Sequence, residues 1–235
     1  MRIIYKMIKI LIKLTFIIAV IFLLNSFHVY SNAIKKIPLA DKVSEIMSSD
    51  NYVNIQNISE HLKEYIVNIE DKRFYSHKGI DIISITGSLI SNIKAGYYKY
   101  GGSTITQQLA KNMYFSSDKN LTRKIAEMFL AFKLEREYSK DEILEMYLNV
   151  IYFGNGYQGI EEASRGYFGV SAYDLNEYQS SLLVGIPQAP SVYNLNDKNN
   201  KTMLRRYEDV LKILVKNGII DQSKAVEFRK IYLAS

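Results

Sequence analysis

The most extended hydrophobic pattern lies at the N-terminus. Arg2, Lys6, Lys9 and Lys13 are interleaved with apolar residues, Leu14 to Leu24 is free of charge, and the uncharged run continues through Ile34 to Lys35. The 17 residues from Leu14 to Tyr30 are at the short end for a spanning helix, and lysines at its start can snorkel. Because the basic flank precedes the apolar run, the N-terminus is expected in the cytoplasm and the rest outside. A cleaved signal peptide is the competing reading, with Ser31-Asn32-Ala33 as its cleavage site. An uncleaved anchor is favoured, and either reading puts the chain beyond residue 35 outside the cytoplasmic membrane.

Residues 35–56 are mixed and polar and read as a stalk or irregular lead-in. Helical spacing then sets in, with Ile58, Leu62, Tyr65, Ile66 and Ile69, and again with Ile82, Ile85, Leu89, Ile90 and Ile93. Thr122 is the expected N-cap of a helix running to about Glu137. Ser139 is expected to cap the next helix, with Glu142 completing a capping box. Further helices fit 174–185, 202–217 and 221–233, and strand signals are scarce. The pattern predicts a mostly α protein of two parts: residues 1–34 as cytoplasmic tip and transmembrane anchor, and 35–235 as one folded domain.

Composition narrows this picture only modestly. A chain of 235 residues suits one domain plus an anchor. Without cysteine there is no disulfide framework and no thiolate metal site. The net charge of +6 suits anionic lipid head groups or a pyrophosphate, and no nucleic-acid-binding pattern is visible, so no nucleic-acid partner is expected.

The chemistry-bearing stretch is Gly101-Gly102-Ser103-Thr104-Ile105-Thr106-Gln107-Gln108-Leu109-Ala110-Lys111-Asn112. Paired glycines allow a tight turn and close approach to a ligand. The hydroxyl and amide side chains with one lysine could hold a sugar or an anionic leaving group. The plainer alternative is a Gly-Gly turn followed by a capped helix. Upstream stands Glu70-Asp71-Lys72-Arg73-Phe74-Tyr75-Ser76-His77-Lys78-Gly79-Ile80-Asp81, and downstream Arg123-Lys124-Ile125-Ala126-Glu127-Met128. Lys140 to Asn149 follows, running into Ile151-Tyr152-Phe153-Gly154-Asn155-Gly156. The last block is Leu182-Leu183-Val184-Gly185-Ile186-Pro187-Gln188-Ala189-Pro190-Ser191-Val192-Tyr193.

Glu70, at the end of an apolar-periodic helix, is a candidate general base whose pKa partial burial would raise. Alternatively it is a surface carboxylate paired with Arg73 three residues on. Glu127 shares a helix face with Arg123 and Lys124, either as an ordinary intrahelical salt bridge or as part of a phosphate-binding group. His77 is expected to be structural rather than catalytic.

In order and spacing the five blocks, over about residues 57 to 195, resemble the motifs of the peptidoglycan glycosyltransferases, the transglycosylase module of class A penicillin-binding proteins and their monofunctional relatives. The resemblance implies a lysozyme-like helical fold with a flexible, membrane-facing jaw at Ile82 to Ile93 and Tyr97, Tyr98 and Tyr100. It implies polymerisation of lipid II into β-1,4-linked glycan, with inversion at the donor anomeric carbon and release of undecaprenyl pyrophosphate. Glu70 takes the place of the family's base, and Glu127 that of its second essential glutamate, acting at the donor pyrophosphate through neighbouring cations or a divalent cation, Mg or Mn. No organic cofactor is implied. Lys111, Arg123 and Lys124 match phosphate-contacting positions, and Lys119 falls where relatives often carry arginine. Arg73, Ser103, Thr104, Gln107, Gln108 and Asn112 complete the expected substrate contacts. The implied partners are lipid II, the nascent glycan chain, the cytoplasmic membrane and other cell-wall synthesis and division proteins. The chain departs from the family at Tyr157-Gln158-Gly159-Ile160, where relatives commonly have Ala-Tyr-Gly-Ile. A glycan-cleaving muramidase-like enzyme and a non-catalytic wall-synthesis scaffold are the rival readings.

Overall fold

Residues 2–95, 101–115, 120–197 and 200–234 are described by the computed structural model; they form α-helices joined by loops, with no strand among the described residues. The first helix, α1 (Arg2–Lys36), is one uninterrupted element. Its stretch Ile4–Lys36 is long and apolar enough to cross a membrane, with a mean hydropathy of 2.6 in its 18-residue window and none of that window buried. The helix does not stop where the apolar run ends. Ser26 is buried, and the rings of Phe27 and Tyr30 lie 5.5 and 5.9 Å from that of Phe129 in α6 (Leu121–Glu137). The last turns of α1 are therefore packed on the folded part of the chain.

The expected irregular lead-in over 35–56 is corrected by the structure. After Pro38, residues Leu39–Met47 form α2, an amphipathic helix that buries Leu39 and Val43. The segment behind it is clamped by α7 (Lys140–Val150): Glu145 accepts from the Ile55 N–H at 2.6 Å and from the Tyr52 hydroxyl, and Asn149 exchanges hydrogen bonds with the backbone of Val53 at 2.9 Å each way. The sequence hid this because the lead-in is held by polar side chains more than by an apolar stripe.

The core is built where α5 (Ile105–Tyr114) packs between α6 and α7, and where α3 (Glu60–Glu70) meets α9 (Glu177–Leu183) and α10 (Lys201–Lys216). Ile105, Leu109, Leu130, Leu134, Tyr147, Tyr207 and Leu214 are fully buried there. Ser139 caps α7 with Glu142 in a reciprocal box, as its spacing predicts. For α6 the cap is Asn120, whose side chain accepts from the Thr122 N–H at 2.8 Å; Thr122 itself lies one position inside the helix. Asparagine is among the best N-cap residues, so the earlier polar residue wins.

Two helices complete the frame. α8 (Ile160–Phe168) begins at Gly159, whose φ of +80° and approach to the Asn149 carbonyl leave no room for a side chain. Tyr157 lies over Gly166 and meets Tyr167 edge-on at 5.0 Å. α4 (Ile82–Ala95) is attached differently from the rest: Ile82, Ile83, Leu89 and Ile93 are each more than half exposed. The expected jaw residues Tyr97, Tyr98 and Tyr100 lie outside the described residues. The chain ends in α11 (Gln222–Ala234), which packs on α10 through Ala225 and Phe228.

Candidate active site

Glu70 is the last residue of α3, and its side chain is 11% exposed. It does not pair with Arg73. The Gln108 amide donates to its Oε2 at 2.8 Å, and the Arg206 guanidinium stands 3.9 Å from its Oε1. Gln108 is oriented in turn by the buried Tyr147, whose hydroxyl donates to the amide oxygen at 3.3 Å. Burial raises the Glu70 pKa above the ordinary 4.5; the Gln108 hydrogen bond, Arg206 and Lys111 oppose the rise, while Asp71 adds to it. The same burial, reinforced by Glu70 and Asp71, keeps the Tyr147 phenol protonated far above its usual range.

Arg73 turns the other way. Its terminal nitrogen lies 2.8 Å from Asp81 Oδ2 and donates to Ser84 Oγ at 3.1 Å, which fastens the start of α4. Expected as a substrate contact, Arg73 is engaged within the fold. His77, expected to be structural, is held within the fold. Its Nδ1 accepts from the Gly79 N–H at 3.2 Å, so Nε2 carries the proton and donates to Asp71 at 2.9 Å. Asp71 is buried, and burial pushes its pKa up against the pull of His77 and of the Ile105 N–H.

The Gly-Gly block divides into structural and open residues. Thr104 is the N-cap of α5 and forms a capping box with Gln107, each 1% exposed, and its hydroxyl also donates to the Gly79 carbonyl at 2.7 Å. Both side chains, expected to meet substrate, are consumed by the cap. Ser103, Gln108, Lys111 and Asn112 remain at least partly accessible. Gln108, Lys111 and Asn112 follow i, i+3, i+4 spacing and so share one face of α5.

Glu127 is buried in α6, only 1% exposed. Arg123 binds one of its oxygens and Lys124 lies 3.1 Å from the other. Lys124 also donates to Ser103 Oγ at 2.6 Å, joining α6 to the start of α5. Arg123 Nε is buried without an acceptor among the described residues. This is not the exposed helix pair worth a few tenths of a kcal/mol; removing one partner of a buried pair typically costs ~3–5 kcal/mol. The donor set does not suit a resident divalent cation: each oxygen of the Glu127 carboxylate already faces a cationic side chain, and no group of three acidic or histidine side chains occurs among the described residues. Lys119 lies outside the described residues.

The site thus joins a buried carboxylate, Glu70, held by Gln108 of α5, and a cation cluster around a second buried carboxylate, Glu127, tied to the start of α5 through Lys124 and Ser103. The family model for transglycosylases matches residues 40–215. The chain belongs to the transglycosylase family. It is 45% identical over 181 residues to penicillin-binding protein 1A/1B of Bacillus subtilis, covering 77% of this chain and 20% of that one. It is 44% identical over 176 residues to penicillin-binding protein 1F of the same organism (74% and 24%) and 43% over 169 residues to penicillin-binding protein 1A of Aquifex aeolicus (72% and 23%). The chain therefore spans about a fifth to a quarter of the length of these curated relatives.

One side chain that faces Glu70 lies outside all five blocks. Arg206 follows Met203 by three positions and precedes Val210 by four, so it sits on the apolar stripe of α10. A cation on such a stripe was the available signal.

Proposed function

We propose that the chain is a membrane-anchored peptidoglycan glycosyltransferase that polymerises lipid II, with the growing chain as donor and lipid II as acceptor. The observation that carries this reading is the burial of Glu70 against Gln108 and Arg206, a carboxylate of raised pKa held by α5, together with the Arg123, Lys124 and Glu127 cluster that Lys124 ties to the start of α5 through Ser103.

In the reaction the acceptor sugar's 4-hydroxyl oxygen bonds to the donor anomeric carbon, its proton passes to the Glu70 carboxylate, and the bond from that carbon to the pyrophosphate oxygen breaks. Attack opposite the leaving group inverts the centre. Charge then grows on the departing pyrophosphate, where Arg123, Lys124 and Lys111 stabilise it. Glu127 acts through these cations, fixing Arg123 and Lys124 on one helix face. The anchor α1 enters from the cytoplasm, and the catalytic part stands on the outer face, where the exposed isoleucines of α4 meet the bilayer.

The test is incubation of detergent-solubilised protein with labelled lipid II, with and without a divalent cation. Glycan polymer is the expected product. Cleavage of added polymer would instead indicate a muramidase, and neither activity a scaffold. Moenomycin, a phosphoglycolipid that mimics the growing chain on its lipid phosphate, should inhibit.

A further inference from the structure

Arg206 occupies a place where a charged side chain is costly unless it is held. Buried Met203, Tyr207 and Val210 flank it on α10, and its side chain is 11% exposed. Its Nε donates to the Gly185 carbonyl at 3.0 Å, and its guanidinium lies over the Tyr193 ring at 5.9 Å. Gly185 and Tyr193 both belong to the fifth block, which contains no charged residue and so supplies no acid, base or cation of its own. The remaining face of the guanidinium points to Glu70 Oε1, 3.9 Å away, a charge contact longer than a hydrogen bond.

We propose that Arg206 is a positioning residue for Glu70, seated by the fifth block, and that it keeps the Glu70 carboxylate in its ionised, proton-accepting form. The proposal rests on the glycosyltransferase reading for its consequence in turnover, but the Arg206–Glu70 contact stands apart from it. The charged and titratable groups acting on Glu70 are Arg206 from α10, Lys111 from α5, Asp71 just beyond α3 and Tyr147 from α7. Of the two cations, Arg206 has the stronger pull, and it is tied to the fifth block through the Gly185 carbonyl. The fifth block then acts on the reaction through a backbone carbonyl and a tyrosine ring that aim a guanidinium.

The experiment compares the pH profiles of lipid II polymerisation for wild type, Arg206→Gln and Arg206→Lys, together with the titration of the Glu70 side-chain carboxyl followed by 13C NMR and assigned with Glu70→Gln. In Arg206→Gln the acid limb should move to higher pH, cutting turnover about tenfold on the acid side of the optimum and about threefold or less on the alkaline side. Arg206→Lys keeps the charge but has no Nε–H for Gly185; its limb should stay near the wild-type position. A uniform loss at every pH in Arg206→Gln, with the Glu70 titration unchanged, would overturn the proposal and leave Arg206 a packing residue. If Arg206→Gln does not fold, Tyr193→Leu takes its place, since it removes the ring beneath the guanidinium. The limb should then shift the same way by a smaller amount, and an unmoved limb overturns the proposal. If wild type forms no polymer, the functional reading fails, while the Glu70 titration still decides the role of Arg206.

Discussion

The Asp71 carboxylate accepts a 3.0 Å hydrogen bond from the backbone N–H of Ile105, the first residue of α5. A carboxylate at a helix N-terminus meets both the free N–H groups and the positive end of the helix dipole. Here it also ties the residue next to Glu70 to the helix that carries Gln108 and Lys111. Asp71→Ala should therefore damage the site without touching substrate. It leaves a buried N–H and the His77 Nε2–H without acceptors, at about 1–3 kcal/mol for each such group. Thermal melts should show a clear drop for Asp71→Ala and a smaller one for Asp71→Asn, which keeps one acceptor. Equal melting points for all three proteins would deny Asp71 this joining role.

Glu70→Gln should abolish polymerisation and at the same time stabilise the fold at neutral pH. Gln keeps the shape but accepts no proton, and loss of a general base costs on the order of a hundred- to ten-thousandfold in rate. The stability effect follows from the raised pKa of the folded state. Below the ordinary carboxylate value of 4.5, Glu70 is protonated both folded and unfolded, and wild type and variant should match. As pH rises through the folded-state pKa, the buried carboxyl ionises at greater cost than in the unfolded chain, and wild type loses stability that the neutral Gln retains. Melting curves across pH check this, and a variant less stable than wild type at neutral pH would count against it.

The helical frame was legible because its signals are local: apolar spacing for α3 and α4, and Ser139 with Glu142 for the start of α7. The lead-in was misread because α2 buries only Leu39 and Val43, and the segment behind it is held by Glu145 and Asn149, about ninety residues away in sequence. The site was legible in its residue types and less so in its roles. Thr104 and Gln107 look like ligand contacts in a hydroxyl- and amide-rich block, yet the same chemistry serves a capping box. Arg73 and Glu70 have the right spacing for a pair, but Asp81 offers Arg73 a nearly buried carboxylate. Arg206 was missed because sequence spacing does not show which residue a buried cation faces across α3.

Arg123→Ala should lower both stability and rate. It strips one cation from the buried Glu127 carboxylate, a loss typically of ~3–5 kcal/mol. Lys111→Ala removes a cation from the partly open face of α5 instead, and should cut polymerisation at least about tenfold, roughly 1.4 kcal/mol of barrier, with little change in melting temperature. Lys216→Ala, exposed at the end of α10, is the control and should be near neutral. Equal small effects on rate at all three positions would point to a solvated basic face instead of a phosphate site.

Gly166→Ala should destabilise the fold through Tyr157. A methyl at Gly166 would run into the Tyr157 ring, which also packs edge-on against Tyr167. Overpacking of this kind costs typically ~1–3 kcal/mol. The double variant Gly166→Ala with Tyr157→Ala should recover much of the loss, because it removes the ring that the added methyl meets. Denaturant unfolding of the two single variants and the double variant measures the coupling.

The exposed face of α4 gives a prediction that separates membrane contact from fold. Ile82, Ile83, Leu89 and Ile93 are 74%, 68%, 59% and 71% exposed, which is costly for a surface that meets only water. Buried core contacts are few on this helix, so replacing Ile83 and Leu89 with Ser should leave the melting temperature almost unchanged. If the face rests on the bilayer, the variant should polymerise lipid II in vesicles several-fold more slowly, since each lost apolar side chain forfeits ~1.5–3 kcal/mol of burial when fully inserted. In detergent with a short-chain substrate, where the bilayer plays no part, wild type and variant should turn over alike. A matching loss in both settings would mean that Ile83 and Leu89 serve the site itself, and a large fall in melting temperature would return α4 to the core.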